Sequence, residues 1–165
     1  MIIMGVDPGL ANTGWGVIVR EGASCRPVAY GCVTTRPDRS VADRLAMIHD
    51  ELRSVIDTYL PRHCAIESVY FGTNAKSAFA TGQARGVALL ATSVHALAIA
   101  EYSPVQIKSV VAGHGSAEKD QVAFMVKAQL GLDHIPEPDH AADALAVALT
   151  HAVLCDHRAL EEASA

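Results

Sequence analysis

The sequence predicts an α/β fold in which a mixed central sheet is covered by helices on both faces. The first observation is an apolar run at residues 2–6 that ends at Asp7, where a Pro-Gly pair breaks the strand. The second is the alternation of small and apolar residues over 14–19, which is typical of a second strand. In the rest of the chain, strand patterns alternate with helical ones, and this order favours a sheet with a parallel part.

Two further strands and one helix are predicted in the first half of the chain. A third strand over residues 28–35 completes an antiparallel meander, and a fourth over 64–66 leads directly into Glu67. Between them, Ser40 is the expected N-cap of a helix, with Asp43 as its capping-box partner. The buried stripe of this helix consists of Leu45, Ile48, Leu52 and Ile56.

The second half of the chain is predicted to be mainly helical, with a fifth short strand. Composition favours a helix over residues 75–100, broken near Gly82 and Gly86, and then a strand at residues 102–103. Three more helices are expected, and they run from Ser103 to Gly113, from Ser116 to Gly131 and from about His140 to Leu154.

Length and composition indicate one well-packed domain. The chain has 165 residues, of which 50% are hydrophobic and 19% are charged, so a disordered chain is excluded. The four cysteines lack CxxC spacing and are expected to be reduced thiols. Since no apolar run reaches the roughly 20 residues of a membrane span, we expect a soluble cytoplasmic protein. Its domain covers residues 1–157, and residues 158–165 form a short tail.

The net charge of −5 argues against an extended basic surface of the kind that binds nucleic acid. The charge is uneven, however, with −1 over residues 1–67, +2 over 68–117 and −6 over 118–165. A mildly basic middle segment is compatible with a local phosphate-binding face.

Three carboxylates and one imidazole are predicted to meet in one cleft. Asp7 and Glu67 each end a buried strand, whereas His140 and Asp143 are three residues apart and share one face of the last helix. The opposite, apolar face of that helix is expected to pack on the sheet and consists of Ala141, Leu145, Ala148, Leu149 and Ala152. Carboxylates held this close repel one another, and such oxygen ligands suit Mg²⁺ or Mn²⁺. Two such ions about 4 Å apart activate water and stabilise the leaving oxygen in phosphoryl transfer.

Each of these residues also has a purely structural interpretation. Asp7 caps the turn after its strand, and Glu67 is a surface acid at a strand end. His140 is an ordinary first-turn residue, and Asp143 lies on a solvated helix face. Asp139, four residues before Asp143, is interpreted as the helix N-cap and is left out of the site. Because all four residues suit the same divalent-metal chemistry, a metal site is favoured over four separate structural roles.

Four segments of the chain resemble the RuvC family of Holliday junction resolvases, in the family's order and spacing. They are GVDPGLANTGWGV, AIESVYFGTNAKSAFATGQARGVA, IKSVVAGHGSAEKDQVAFMV and DHAADALAVALTH. The similarity covers most of the chain, from Met1 to about His151. It implies a ribonuclease H-like nuclease domain, a homodimer, and symmetric nicking of four-way DNA junctions in recombination and repair.

The resemblance also implies the residues of the site and its cofactor. By motif position, Asp7, Glu67, His140 and Asp143 are the catalytic residues and hold two Mg²⁺ ions, for which Mn²⁺ is a substitute. At the position of His140 the family often has Asp, and because imidazole favours transition metals, a preference for Mn²⁺ is expected. The family further implies that the RuvA–RuvB branch-migration complex delivers the junction.

Three DNA-binding residues are implied in the same way. An aromatic ring at the position of Tyr70 is expected to wedge among the bases of the junction, and Lys108 and Lys119 match family lysines at the scissile region. The structural alternatives are that Tyr70 and Phe71 complete the core and that both lysines are solvated.

Gly82 and Gly86 are four residues apart on an Ala-rich helix, so a second helix could approach closely there. The resemblance implies a dimer through this region, and two-fold symmetry suits a symmetric junction. Packing of the helix on its own sheet explains the glycines equally well.

Two other classes of protein are alternatives. An actin-like or Hsp70-like ATPase shares the first strand and its turn, but it needs a second such lobe. A non-catalytic junction-binding protein would be expected to lack at least one of Asp7, Glu67 and Asp143, and all three are present.

Overall fold

The computed structural model describes residues 1–68 and 75–162 of the chain. Its strands are β1 (Ile2–Asp7), β2 (Asn12–Glu21), β3 (Ser24–Thr34), β4 (His63–Glu67) and β5 (Ala98–Tyr102). They form one sheet in the order β3-β2-β1-β4-β5. The first three strands are antiparallel neighbours, while β4 pairs in parallel with both β1 and β5. The mixed five-stranded sheet predicted from the sequence is confirmed.

Helices cover both faces of this sheet. They are α1 (Val41–Tyr59), α2 (Ala75–Val94), α3 (Pro104–Ala112), α4 (Lys119–Leu130) and α5 (Asp139–Glu162). Helices α1 and α2 share a core with Met4 and Val6 of β1, whereas α3, α4 and α5 share one with Ile3 and with Tyr102 of β5. Because β1 is buried on both faces, its sequence is a continuous apolar run rather than an alternating one. Among the described helices, none has the length and hydrophobicity needed to cross a membrane.

Several helix ends lie where their capping residues predict them. The Ser40 side chain accepts a hydrogen bond from the backbone N–H of Asp43 at 3.1 Å, which satisfies a free donor of α1. Ser103 forms a capping box at the start of α3, which ends at Gly113 with φ 86°. Gly131, with φ 64°, ends α4 in the same left-handed conformation.

The boundary between α2 and β5 differs from the prediction. Helix α2 ends at Val94 and is unbroken at Gly82 and Gly86, so both the predicted breaks and the helical extension to residue 100 are wrong. The chain turns at Ala96, which has φ 55°, and residues 98–102 then pair in parallel with β4. Short Ala-rich segments have little intrinsic strand preference, so this pairing, and not local sequence, makes the segment a strand.

Other element ends also differ from the sequence-based boundaries. Helix α4 has Glu118 as its N-cap rather than Ser116, whose hydroxyl lies 3.3 Å from Nδ1 of His114 instead. Helix α5 continues past Leu154 to Glu162. Strand β3 begins at residue 24, because its pairing with β2 continues to the end of the hairpin.

Helix α5 lies unusually close to the sheet because glycines face it. A Cβ at Gly5 would lie 2.7 Å from the backbone nitrogen of Ala148, and a Cβ at Gly16 would lie 2.7 Å from Cδ2 of Leu145. The predicted apolar face of the helix is buried against the sheet, since Ala141, Leu145, Ala148, Leu149 and Ala152 are each at most 3% exposed. Close packing therefore leaves the polar first turn of α5 beside the end of β1.

Candidate metal centre

The end of β1 and the first turn of α5 bring a carboxylate and an imidazole into contact. Asp7 is the last residue of β1 and pairs with Gly14 of β2. Because Gly14 has no side chain, the backbone of His140 passes directly over it. Nδ1 of His140 then donates a hydrogen bond to Oδ2 of Asp7 at 2.7 Å. This bond raises the pKa of His140, although burial acts in the opposite direction.

A third ligand completes a group that suits a cation. One ligand atom from each of Asp7, His140 and Asp143 lies within 4.8 Å of the other two. The Asp7 side chain is 17% exposed and that of Asp143 is 28% exposed, so both carboxylates are largely withdrawn from water. Burial raises the pKa of Asp143, which shows that its charge is poorly solvated even beside a lysine. Oxygen and imidazole donors at this spacing fit a divalent cation.

Glu67 lies on the neighbouring strand and interacts with the same group. Strand β4 is parallel to β1, so their carboxyl ends meet at one edge of the sheet. The pKa of Glu67 is raised to about 8, first by burial and then by the charge of Asp7 and a hydrogen bond with the Asp7 carboxyl group. Burial and the neighbouring carboxylate therefore favour the protonated form of Glu67, and cations compete with that proton for the cluster.

Lys119 supplies a positive charge at the edge of the cluster. It is the first residue of α4, and its Nζ lies 3.0 Å from Oδ2 of Asp143 and 3.4 Å from Oδ2 of Asp139. Burial disfavours the charged form of Lys119, but hydrogen bonding to Asp143 and the charges of both aspartates outweigh it and raise its pKa. The ammonium group therefore stays charged at the mouth of the site.

Two concave surfaces flank the cluster. A cavity of about 220 Å³ is lined by Glu67, Pro104, Ile107, Lys108, Lys119, Val122, Asp143 and Ala146. On the other side, a groove of about 580 Å³ runs from the β1–β2 loop to His140 between the starts of α1 and α2. Among the described residues, the ligand group thus lies between open concavities rather than in a closed pocket, which suits an extended polymer.

The structural alternatives for the acidic residues do not match this geometry. The turn after β1 is closed by Thr13, whose hydroxyl donates to the carbonyl of Gly9 at 2.7 Å and accepts from its N–H at 3.3 Å. Asp7 is therefore not needed as a turn cap. Glu67 and Asp143 are partly buried and have perturbed pKa values, unlike solvated surface acids.

The predicted DNA-binding residues have different outcomes. Lys119 contacts the acidic cluster, and Lys108 lines the cavity beside it. Tyr70, together with Phe71, lies outside the described residues.

The interpretation of Asp139 as the N-cap of the last helix differs from the structure. Asp139 was interpreted only as a helix cap, yet it is the first residue of α5 and its carboxylate lies against Lys119. The available signal was its spacing of four from Asp143, which places both carboxylates on one helix face. What the sequence could not show is that a lysine from α4 lies against that face.

Comparison with known proteins identifies the family. A family model described as crossover junction endodeoxyribonuclease RuvC matches residues 3–151. The chain is 49% identical over 154 residues to the protein of that name from Treponema pallidum, covering 93% of this chain and 79% of the relative. It is 48% identical over 152 residues to the one from Desulforamulus reducens, covering 92% and 93%.

Solved structures agree with the sequence comparison. The chain matches Thermus thermophilus RuvC in complex with a Holliday junction substrate with a TM-score of 0.91 and 36% identity, over 96% of both chains. This match confirms the predicted ribonuclease H-like fold. Since the family model and its relatives cover nearly the whole length, the chain belongs to the RuvC family of crossover junction endodeoxyribonucleases.

Proposed function

We propose that this chain resolves four-way DNA junctions in recombination and repair by nicking two strands at symmetric positions. Each nick is a metal-dependent hydrolysis of one phosphodiester bond and leaves a 5′-phosphate and a 3′-hydroxyl. The observation that supports this most directly is the convergence of Asp7, Glu67, His140 and Asp143 between two open concavities, in a chain of the RuvC family.

The donor set fits two divalent cations. The carboxylates of Asp7, Glu67 and Asp143 are the ligands that Mg²⁺ prefers, while the imidazole of His140 adds affinity for Mn²⁺. Two cations bound there would activate a water molecule and stabilise the leaving 3′ oxygen. Asp7 interacts with both His140 and Glu67, which supports a role for it as a ligand of both cations.

Other side chains are proposed to hold the DNA. Lys119 and Lys108 line the cavity beside the cluster, so their ammonium groups can orient the phosphate that is cut and offset its negative charge. Tyr70 is proposed to stack among bases at the junction, on the strength of the family resemblance alone.

A homodimer is proposed through the exposed face of α2. Phe79 and Val94 on this face are 69% and 71% exposed, and Leu90 lies between them. At Gly82 and Gly86 a Cβ would meet nothing within 4 Å among the described residues, so these glycines do not serve packing of α2 on its own sheet. An apolar helix face with two open glycines suits close contact with the same helix of a second copy, and a two-fold dimer would present two sites to a symmetric junction.

The dimer can be tested by changing this face. Gly86→Leu should convert a dimer into a monomer in light scattering, because the added side chain blocks the close approach of two helices. Val153→Asp, a change at an exposed apolar residue on α5, should leave the dimer intact. A monomeric wild-type protein, or equal effects of the two changes, would contradict this interface.

The resemblance to the family also supports a cytoplasmic enzyme that receives junctions from a RuvA–RuvB branch-migration complex. Co-purification of the chain with that complex on a four-way junction, and not without DNA or complex, is the corresponding test.

The central experiment uses a synthetic four-way junction with each strand labelled in turn. With Mg²⁺ or Mn²⁺ the wild-type protein should produce paired nicks at symmetric positions, and a chelator should abolish them. A linear duplex of the same sequence is the control and should stay uncut. Unpaired or metal-independent nicks, or equal cutting of the linear duplex, would contradict the proposal.

A further inference from the structure

Lys119 lies between two carboxylates that belong to consecutive turns of the same helix. Its Nζ is 3.0 Å from Asp143 and 3.4 Å from Asp139, and those two residues are one turn apart on α5. The lysine belongs to α4, which is anchored because Val122 and Val126 are buried in the core. The side chain can therefore move between two partners while its backbone stays in place.

The two partners differ in environment. The Asp143 side chain is 28% exposed and belongs to the candidate metal group, whereas that of Asp139 is 78% exposed and lies outside it. A divalent cation on Asp143 would place two positive charges on one carboxylate, and they would repel each other. Metal binding therefore favours departure of the ammonium group from Asp143, and Asp139 is already within reach.

We infer that Asp139 is a positioning residue that receives the ammonium group of Lys119 when a divalent cation takes Asp143. In this arrangement Lys119 remains at the mouth of the site, directed towards the phosphate, instead of competing with the metal or moving into solvent. The inference rests on the proposed function, since it assumes that Asp143 is a metal ligand.

The affinity for Mn²⁺, measured by calorimetry without DNA, tests this exchange. Lys119→Met should bind Mn²⁺ more tightly than the wild type, because its ammonium no longer competes. Asp139→Asn should bind Mn²⁺ more weakly, by on the order of fivefold. Of the two carboxylates, Asp143 alone then remains as a partner of Lys119, so the ammonium group competes with the metal there. In the Lys119→Met background, Asp139→Asn should lose most of its effect, since it acts through the lysine.

Cleavage of a four-way junction gives a second measurement. Asp139→Asn should lower the cleavage rate of the bound junction and leave junction affinity nearly unchanged, and Asp139→Glu should restore the rate. The matched control is Asp120→Asn, which removes the same charge at the exposed residue next to Lys119. It should change neither Mn²⁺ affinity nor cleavage.

The outcomes distinguish failure of the proposed metal site from failure of the positioning role of Asp139. If the wild type binds no Mn²⁺, the proposed metal site is wrong and this inference fails with it. If the wild type binds Mn²⁺ but Asp139→Asn has the same effect with and without Lys119, Asp139 acts only as a nearby charge. That result would overturn the inference and leave the proposed function standing.

Discussion

Gly14 on β2 has no side chain beneath His140, and this allows the first turn of α5 to rest on the sheet. A Cβ at Gly14 would overlap the carbonyl oxygen of His140 and lie 3.0 Å from its Cβ. Gly14 is also the register partner of Asp7. Gly14, which allows α5 to approach the sheet, is therefore paired with Asp7, whose carboxylate contacts His140 of that helix.

Gly14→Ala is expected to disturb the metal site through the backbone. The methyl group must push the first turn of α5 away from β1, at a cost of about 1–3 kcal/mol of folding free energy. Mn²⁺ affinity should fall with it. Gly31→Ala is the control, because a Cβ there would press on the Trp15 ring, at 2.7 Å from Cζ2, and not on α5. Gly31→Ala should lower the melting temperature while Mn²⁺ affinity is kept. A similar loss of Mn²⁺ affinity in Gly14→Ala and Gly31→Ala would contradict an effect through the first turn of α5.

Asp7→Asn should abolish cleavage and preserve junction binding. The amide keeps the size of the side chain but removes the charge that interacts with both His140 and Glu67. Loss of metal-based stabilisation of several kcal/mol corresponds to a rate reduction of roughly a thousandfold or more. Single-turnover cleavage and a gel-shift assay on the same junction check the two parts, and near-normal cleavage by the variant would contradict the site.

Glu67→Gln should stabilise the protein at alkaline pH when a chelator is present. The pKa of Glu67 is raised from 4.5 to about 8 in the folded protein. A carboxyl group with a raised pKa contributes stability below its unfolded pKa and loses it as the pH rises through the folded one. The melting temperature of the wild type should therefore fall between about pH 4.5 and 8. The amide removes this dependence, so the variant should gain about 1 kcal/mol or more at pH 8.

Two comparisons make that prediction specific. Glu21→Gln, at an exposed glutamate paired with Arg26, should follow the wild-type pH dependence. Adding Mn²⁺ at pH 8 should raise the melting temperature of the wild type more than that of Glu67→Gln, because metal replaces the proton at this carboxyl group. Parallel curves for the wild type and Glu67→Gln would contradict the raised pKa of Glu67.

His140→Asp should change the metal preference and the acid side of the pH profile. The wild type is expected to be more active with Mn²⁺ than with Mg²⁺, since imidazole favours transition metals. Hydrogen bonding to Asp7 raises the pKa of His140 despite burial, so a proton competes with the metal at pH values above the ordinary 6.5. The aspartate variant should prefer Mn²⁺ less and should retain activity to lower pH. If both profiles stay unchanged, His140 does not bind the metal.

Much of the fold followed from local signals in the sequence. Ser40, Ser103, Gly113 and Gly131 mark helix ends because their side chains or backbone conformations satisfy polar groups that a helix leaves free. The end of β1 at Asp7 is equally local, since an apolar run meets a Pro-Gly pair there. These features depend on a few consecutive residues, and for that reason they could be predicted.

The boundary after α2 could not be predicted in this way. Residues 95–100 are rich in alanine and contain no strong turn residue, so composition favoured a longer helix. The chain instead turns at Ala96 and forms β5, because β4 offers backbone partners from His63 to Glu67. Pairing between distant segments outweighs a weak local preference.

The sequence by itself determined the family of this protein, because four of its segments match the RuvC family in order and spacing. It also predicted that Asp7, Glu67, His140 and Asp143 form a metal site. The tertiary structure decided how those groups interact. The hydrogen bond of His140 to Asp7, the raised pKa of Glu67 and the contact of Lys119 with Asp139 depend on the close approach of α5 to the sheet and on the position of α4. Charge interactions change steeply over a few ångströms and with burial, and such distances arise only when remote segments pack together.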